Sequence, residues 1–141
     1  MRWHAARHRI APELGRRFRA LKLWFVLRYF GRIGLATNLR GSLRMATWLA
    51  DKIVGDTLLE LAVPVTMGLV CFRVRRGDSA TTELMRRING TRDLYVSHTA
   101  LDGKVIMRVA VGNVRTRQQD IEELWGPMQE ILNVTPSSEA V

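Results

Sequence analysis

Residues 15–31, GRRFRALKLWFVLRYFG, constrain this chain more than any other stretch. The segment opens on arginines and continues as a helix with apolar side chains on almost every side. A small globular domain makes such a helix only where something covers it all round. Nothing obvious in the rest of the 141-residue sequence is large enough to do so. The stretch therefore implies that the chain belongs with something bigger.

The length suits one domain with a modest core. Hydrophobic residues make up 47% and charged residues 25%, a globular rather than a disordered balance. The net charge of +9 is unevenly placed. Residues 1–44 hold 11 of the 22 Lys and Arg but a single acid, Glu13, whereas the remainder has 11 basic and 12 acidic residues. The single cysteine, Cys71, excludes an internal disulfide framework and fits a reducing compartment. The apolar run at 23–27 is closed by Arg28, too short for a signal-peptide core, and no small-x-small cleavage site follows. A membrane span needs about 20 apolar residues, and Lys22, Arg28 and Arg32 exclude one here. The expectation is a cytoplasmic chain.

Residues 1–14 read as irregular, interrupted by Pro12. A helix is expected over 16–30, stopped by Gly31, and a second over 33–54. In the second, Leu35, Leu39, Leu43, Ala46, Leu49, Ala50 and Ile53 step by threes and fours. Short apolar runs at 58–63 and 69–74, bracketing Pro64 and Gly68, read as strands. A turn at 75–78 leads into a helix capped by Asp78 or Ser79 and closed at Asn89-Gly90. Strands at 94–99 and 105–111 flank Asp102-Gly103, a hairpin signal. Thr116 is expected to cap a last helix to about residue 132, bent or restarted at Gly126-Pro127. Residues 135–141 read as a disordered tail. The order, two helices and then β-β-α-β-β-α, suits an α+β fold: N-terminal helices and a four-stranded antiparallel sheet with helices on one face.

No self-contained active site is legible. Cys71 lies mid-strand between bulky neighbours, where a buried, inert thiol is the ordinary outcome. His98 reads as a polar strand-end residue, with a site lining in a larger assembly as the other option. Three histidines and one cysteine show no metal-ligand spacing, and phosphate-binding glycine loops are absent. Glu122 and Glu123 read as a solvated helix face. The N-terminal arginines (among them Arg2, Arg7, Arg16, Arg28 and Arg40), with Trp3, Phe18 and Trp24, leave three readings: an interface, an anionic cofactor or substrate, or polynucleotide. No nucleic-acid module accompanies them, which ranks polynucleotide last.

At the level of motifs, GRRFRALKLWFVLRYFG resembles the segment that opens the C-terminal domain of the group II pyridoxal-phosphate amino-acid decarboxylases. These include the aromatic L-amino-acid, tyrosine/tryptophan and histidine decarboxylases. The likeness continues in order through Gly34-Leu35, Val63-Pro64-Val65-Thr66, GLVCFR at 68–73 and Ile88-Asn89. It runs on through Ser97-His98-Thr99, Gly103-Lys104, Arg108 to Asn113, Arg115-Thr116 and Trp125. It covers roughly residues 12–132, and residues 15–134 are expected to form the domain.

That resemblance implies a homodimeric fold-type-I enzyme of which this chain is the small C-terminal domain. The parent removes the α-carboxylate of an aromatic or related amino acid, with pyridoxal 5'-phosphate as electron sink. It also implies what is missing. The family's Schiff-base lysine directly follows a histidine in the large domain. Lys22, Lys52 and Lys104 are the only lysines here, and none follows a histidine. The expectation is therefore no catalytic residue, no metal and no cofactor held by this chain alone. The missing partners are the large domain and a dimer mate. Gly15, in the family's position beside the substrate side chain, implies room for an aromatic ring, and Arg16 implies a pocket-rim group. Residues 1–11 do not resemble the preceding family segment and fit an alternative start, a frameshift or a split gene. Arg92-Asp93 stands where the family has a glycine-containing turn. The runner-up function is a small basic module binding an anionic partner such as nucleic acid.

Overall fold

The structure, a computed structural model, describes residues 19–91 and 95–134. The expectations for residues 1–18, Arg92-Asp93 and the tail 135–141 lie outside the described residues, and Gly15 and Arg16 with them. The elements are α1 (Arg19–Val54), β1 (Leu59–Leu61), β2 (Leu69–Val74), α2 (Asp78–Gly90), β3 (Ser97–Leu101), β4 (Lys104–Ala110) and α3 (Gln118–Val134). The chain divides into two compact units, residues 1–35 and 36–141.

In the first unit, α1 is interrupted at Gly31, whose φ of 61° and ψ of 180° are not helical. Only a residue without Cβ takes that conformation cheaply, so the expected stop becomes a one-residue break after which the helix resumes. Residues 20–29 are all exposed. Trp24 and Phe25 meet edge-on at 5.1 Å, as do Tyr29 and Phe30 at 4.9 Å. Trp24, Phe25 and Leu27 are open to solvent, whereas Phe30 is half-buried.

The second unit is an antiparallel sheet in the order β1-β2-β4-β3. Its register pairs Phe72 with Leu61 on one side and Met107 on the other. Paired residues share a face, so Val70, Phe72, Val74, Met107, Val109, Leu59 and Leu61 point one way. All of them join Ala46, Leu49, Ala50 and Ile53 of α1, Leu84 and Ile88 of α2, and Ile121, Leu124, Met128 and Leu132 of α3 in one core. The helices thus lie on one face of the sheet, as expected. Each large side chain fully buried here contributes roughly 1.5–3 kcal/mol. Of the periodic positions in α1, only those from Ala46 onward reach this core, and Leu39 remains 47% exposed.

Three local expectations change. Gly77, not Asp78 or Ser79, holds the α2 N-cap position, with no side-chain bond. The Asp78 carboxylate instead accepts the Val105 N–H at 3.1 Å, tying α2 to β4. Buried Thr81 secures the same corner, donating to the Gly77 carbonyl at 2.9 Å and accepting from the Val74 N–H at 3.1 Å. At α3 the first turn is closed by Asp120, whose carboxylate takes the Arg117 N–H at 2.8 Å, half of a capping box; Thr116 is not the cap. Finally, α3 runs uninterrupted through Gly126-Pro127, because Leu124, Met128 and Leu132 on either side are buried in the core. The β3–β4 hairpin closes as expected on Asp102-Gly103, with φ of 50° and 76°, a two-residue turn of type I′.

Candidate functional site

The sheet's second face carries the alternate residues: Leu69, Cys71 and Arg73 of β2, Ile106 and Arg108 of β4, Glu60 of β1, and Ser97, Thr99 and Leu101 of β3. None of them belongs to the helix-covered core. Cys71 and Ile106, on the two central strands, are nevertheless only 5% and 3% exposed.

The charges on this face are arranged unevenly. The Arg73 Nε donates to Glu60 Oε1 at 2.7 Å, and its Nη1 lies 3.8 Å from Asp78. Arg75 Nη1 reaches the other Glu60 oxygen at 3.1 Å. The Arg108 side chain is half-buried and pairs with no carboxylate among the described residues, while its backbone carbonyl also accepts from Ser97 Oγ at 3.4 Å. A shallow hollow of about 230 Å³ opens at the hairpin end between Glu60, Arg73, Leu101, Asp102, Lys104 and Ile106. In the sequence both arginines stand out only as members of family-like runs. The available signal is one arginine inside each of two otherwise apolar strands, LVCFRV and KVIMRVA.

The side chains weighed from sequence are not brought together. Cys71 is a buried free thiol. His98 is exposed on β3, opposite Met107. Glu122 and Glu123 are exposed and accept from Gln118 and Gln119 one turn earlier, which is a solvated helix face. Arg28, Arg32, Arg40 and Arg44 are exposed, and none pairs with a carboxylate among the described residues. The one strongly shifted acid, Glu83 on α2, accepts from Arg86 at 2.8 Å and Arg87 at 2.6 Å. Hydrogen bonds from Arg86 first and Arg87 second lower its carboxyl to about 2. No group of three or more His, Cys, Asp or Glu among the described residues is placed to hold a metal ion, and no described helix is long and apolar enough to cross a membrane.

A pyridoxal-phosphate site needs a lysine enclosed with donors for a phosphate, and the described residues do not fit that need. Lys52 lies on an exposed face of α1, its Nζ 5.4 Å from the Trp48 ring centre. Lys22 is exposed on the opening stretch of α1. Lys104 borders the shallow hollow, but Asp102 and Glu60 line it too, and their carboxylates would repel a phosphate.

The pyridoxal-dependent decarboxylase conserved domain matches residues 7–75. The match enters the stretch 1–11 that reads as unlike the family, so the departure is shorter than expected. Tryptophan decarboxylase 1 of rice (Oryza sativa subsp. japonica) is 38% identical over 123 residues, which cover 79% of this chain and 24% of that protein. Phenylacetaldehyde synthase of Arabidopsis thaliana is 36% identical over 124 residues, 83% of this chain and 25% of that protein. The crystal structure of the Oryza sativa enzyme with PLP and tryptamine superposes with a TM-score of 0.78 at 36% identity, over 85% of this chain and 28% of that one. The chain belongs to the group II pyridoxal-phosphate-dependent amino-acid decarboxylase family, and it spans about a quarter of the length of the relatives it matches.

Proposed function

We propose that this chain is the C-terminal part of a pyridoxal-phosphate-dependent decarboxylase acting on an aromatic or related L-amino acid, and that it is inactive until joined by the large domain. The observation that carries the reading is the opening of α1. Every residue from 20 to 29 is exposed although most are large and apolar, in a chain that spans a quarter of its relatives. In the assembled enzyme the cofactor supplies the electron sink for loss of the carboxylate. This chain contributes Gly15, which leaves space beside the substrate side chain, and Arg16 at the pocket rim. The parent is a homodimer in the cytoplasm, where a free thiol such as Cys71 stays reduced.

The test is co-expression of the chain with the large-domain portion of rice tryptophan decarboxylase 1. Release of carbon dioxide from L-tryptophan, L-tyrosine or L-phenylalanine is expected only with both pieces present, and Gly15→Ser is expected to change the preference among the three. Amine and aldehyde products are both assayed, because one relative is an aldehyde synthase. Carbon dioxide release by the chain alone, or borohydride trapping of the cofactor on Lys22, Lys52 or Lys104, would sink the reading.

A second reading keeps the basic opening as an anion-binding surface, favoured by Lys22, Arg28 and Arg32 standing exposed with no acid until Asp51. Retention of nucleic acid that weakens steeply with salt would favour it.

A further inference from the structure

We propose that Asn89 and Gly90 form a self-modifying site: a slow, one-way loss of ammonia from Asn89 that unfastens the corner between α2 and β3. The chain has four asparagines, and only Asn89 precedes a glycine; Asn38 precedes Leu39, and Asn113 and Asn133 precede valines. Glycine leaves its own backbone nitrogen unshielded, so that nitrogen reaches the neighbouring side-chain amide once the backbone permits. The fold makes the site both restrained and consequential. The Asn89 side chain is a clamp, donating from Nδ2 to the Val96 carbonyl at 2.9 Å and accepting the Val96 N–H on Oδ1 at 2.7 Å. Ile88, next to it, and Val96 are 0% and 3% exposed. The clamp thus seats the entry to β3 in the core.

In the reaction the Gly90 nitrogen attacks the Asn89 side-chain carbonyl carbon. The new C–N bond closes a succinimide ring, the Gly90 nitrogen gives its proton to solvent, and the side-chain nitrogen leaves as ammonia. Water then opens the ring to aspartate or isoaspartate, with no oxidant or reductant required. Closure requires Asn89 to leave its helical ψ, yet it lies inside α2 with both polar atoms of its side chain held. Thr91 tightens the same turn, its Oγ1 donating to the Ile88 carbonyl at 2.6 Å. The reaction therefore waits on opening of the last turn of α2. Either product breaks the clamp. Aspartate has no N–H for the Val96 carbonyl and sets a charge against it, and isoaspartate lengthens the backbone by one carbon.

The experiment ages the full chain in mildly alkaline buffer, both folded and in concentrated guanidinium chloride. Peptide mass spectrometry separates asparagine, aspartate and isoaspartate at each position. In denaturant Asn89 is expected to react at least about tenfold faster than Asn38, Asn113 or Asn133, and Gly90→Ala to remove that lead. An added Cβ at Gly90 meets nothing within 4 Å, so this variant keeps the fold. In the folded chain Asn89 is expected to slow by at least about tenfold while still outrunning the other three. Thr91→Ala, checked for folding by circular dichroism, should speed the folded reaction at least about threefold and leave the unfolded rate unchanged. In the isoaspartate fraction the Val96 amide hydrogen should exchange at least about tenfold faster than in fresh chain. Equal folded and unfolded rates, a folded Thr91→Ala that reacts like the wild type, or a folded Asn89 no faster than the other asparagines overturns the proposal. So does Val96 exchange that is unchanged after the reaction. None of these outcomes bears on the decarboxylase reading.

Discussion

Two stretches of one helix differ sharply in their surroundings. In residues 46–53 of α1, Ala46, Leu49, Ala50 and Ile53 are between 0% and 7% exposed, because the sheet and two further helices pack over them. In residues 20–29 the apolar content is higher, yet Leu23, Trp24, Phe25 and Leu27 are each at least half exposed and Tyr29 is 84% exposed. Hydrophobicity sets the drive for burial, but only an opposing surface realises it. Residues 46–53 have one within the unit that contains them. Residues 20–29 carry the same chemistry facing solvent, and this difference makes the chain read as part of a larger enzyme.

The sharpest way to break that comparison is to truncate one large side chain in each region. Phe72→Ala should lower stability by about 3–5 kcal/mol, through lost burial and the cavity left behind. Phe25→Ser should change it by less than about 0.5 kcal/mol, as surface substitutions do, and should reduce binding of a hydrophobic dye. Denaturant titrations of both variants decide the matter: comparable losses would mean that the opening helix is covered after all.

A finer contrast uses two glycines with positive φ. At Gly68, φ is 106° and an added Cβ would sit 2.7 Å from the Val111 carbonyl oxygen, whose own N–H bonds back to Gly68 at 2.8 Å. Gly68→Ala should therefore cost on the order of 1–3 kcal/mol in conformation alone, and more from the contact with the Val111 carbonyl. At Gly31 an added Cβ meets nothing within 4 Å, and local fraying relieves its strain. Thermal melts followed by near-ultraviolet circular dichroism should show the midpoint falling for Gly68→Ala and holding for Gly31→Ala. A fall for both would tie the opening helix to the core's cooperative unit.

The smallest effect concerns pH. The Glu83 carboxyl is lowered from 4.5 to about 2 by Arg86 and Arg87. A lowered carboxylate contributes stability that is fully present above 4.5 and is lost as the pH falls toward 2. Glu83→Gln should therefore lower stability slightly and by a constant amount above pH 4.5, and the deficit should close as the pH falls toward 2, flattening that part of the acid limb. A difference that grows above pH 5 would contradict this origin.

Much of the fold is legible because the signals are local. The step of three and four through Ala46, Leu49, Ala50 and Ile53, the alternation in LVCFRV, and Asp102-Gly103 between two strands each depend on a few neighbouring residues. The errors occur where a side chain had distant options. Asp78 reads as a cap but bonds to Val105, 27 residues away, and Pro127 reads as a break but sits where core packing holds α3 together. The candidate site was less legible still. Gly15 and Arg16 come from family resemblance, and nothing near them in sequence points to Arg73 or Arg108, whose significance lies in which strands become neighbours.

By itself, then, the sequence determined the element types, the basic opening, the absence of a histidine-preceded lysine and the family, because each is written in residue identity or short-range spacing. Only the tertiary structure decided that β2 and β4 lie side by side at the centre of the sheet and that all the helices of the second unit bury against one face. It also set Arg108 across from Cys71 with no carboxylate among the described residues, while Arg73 found Glu60. Strand alternation is local, but strand neighbours are chosen by long-range pairing and by the helices that must be accommodated. That choice determines which residues share each face of a sheet and which charges on it meet.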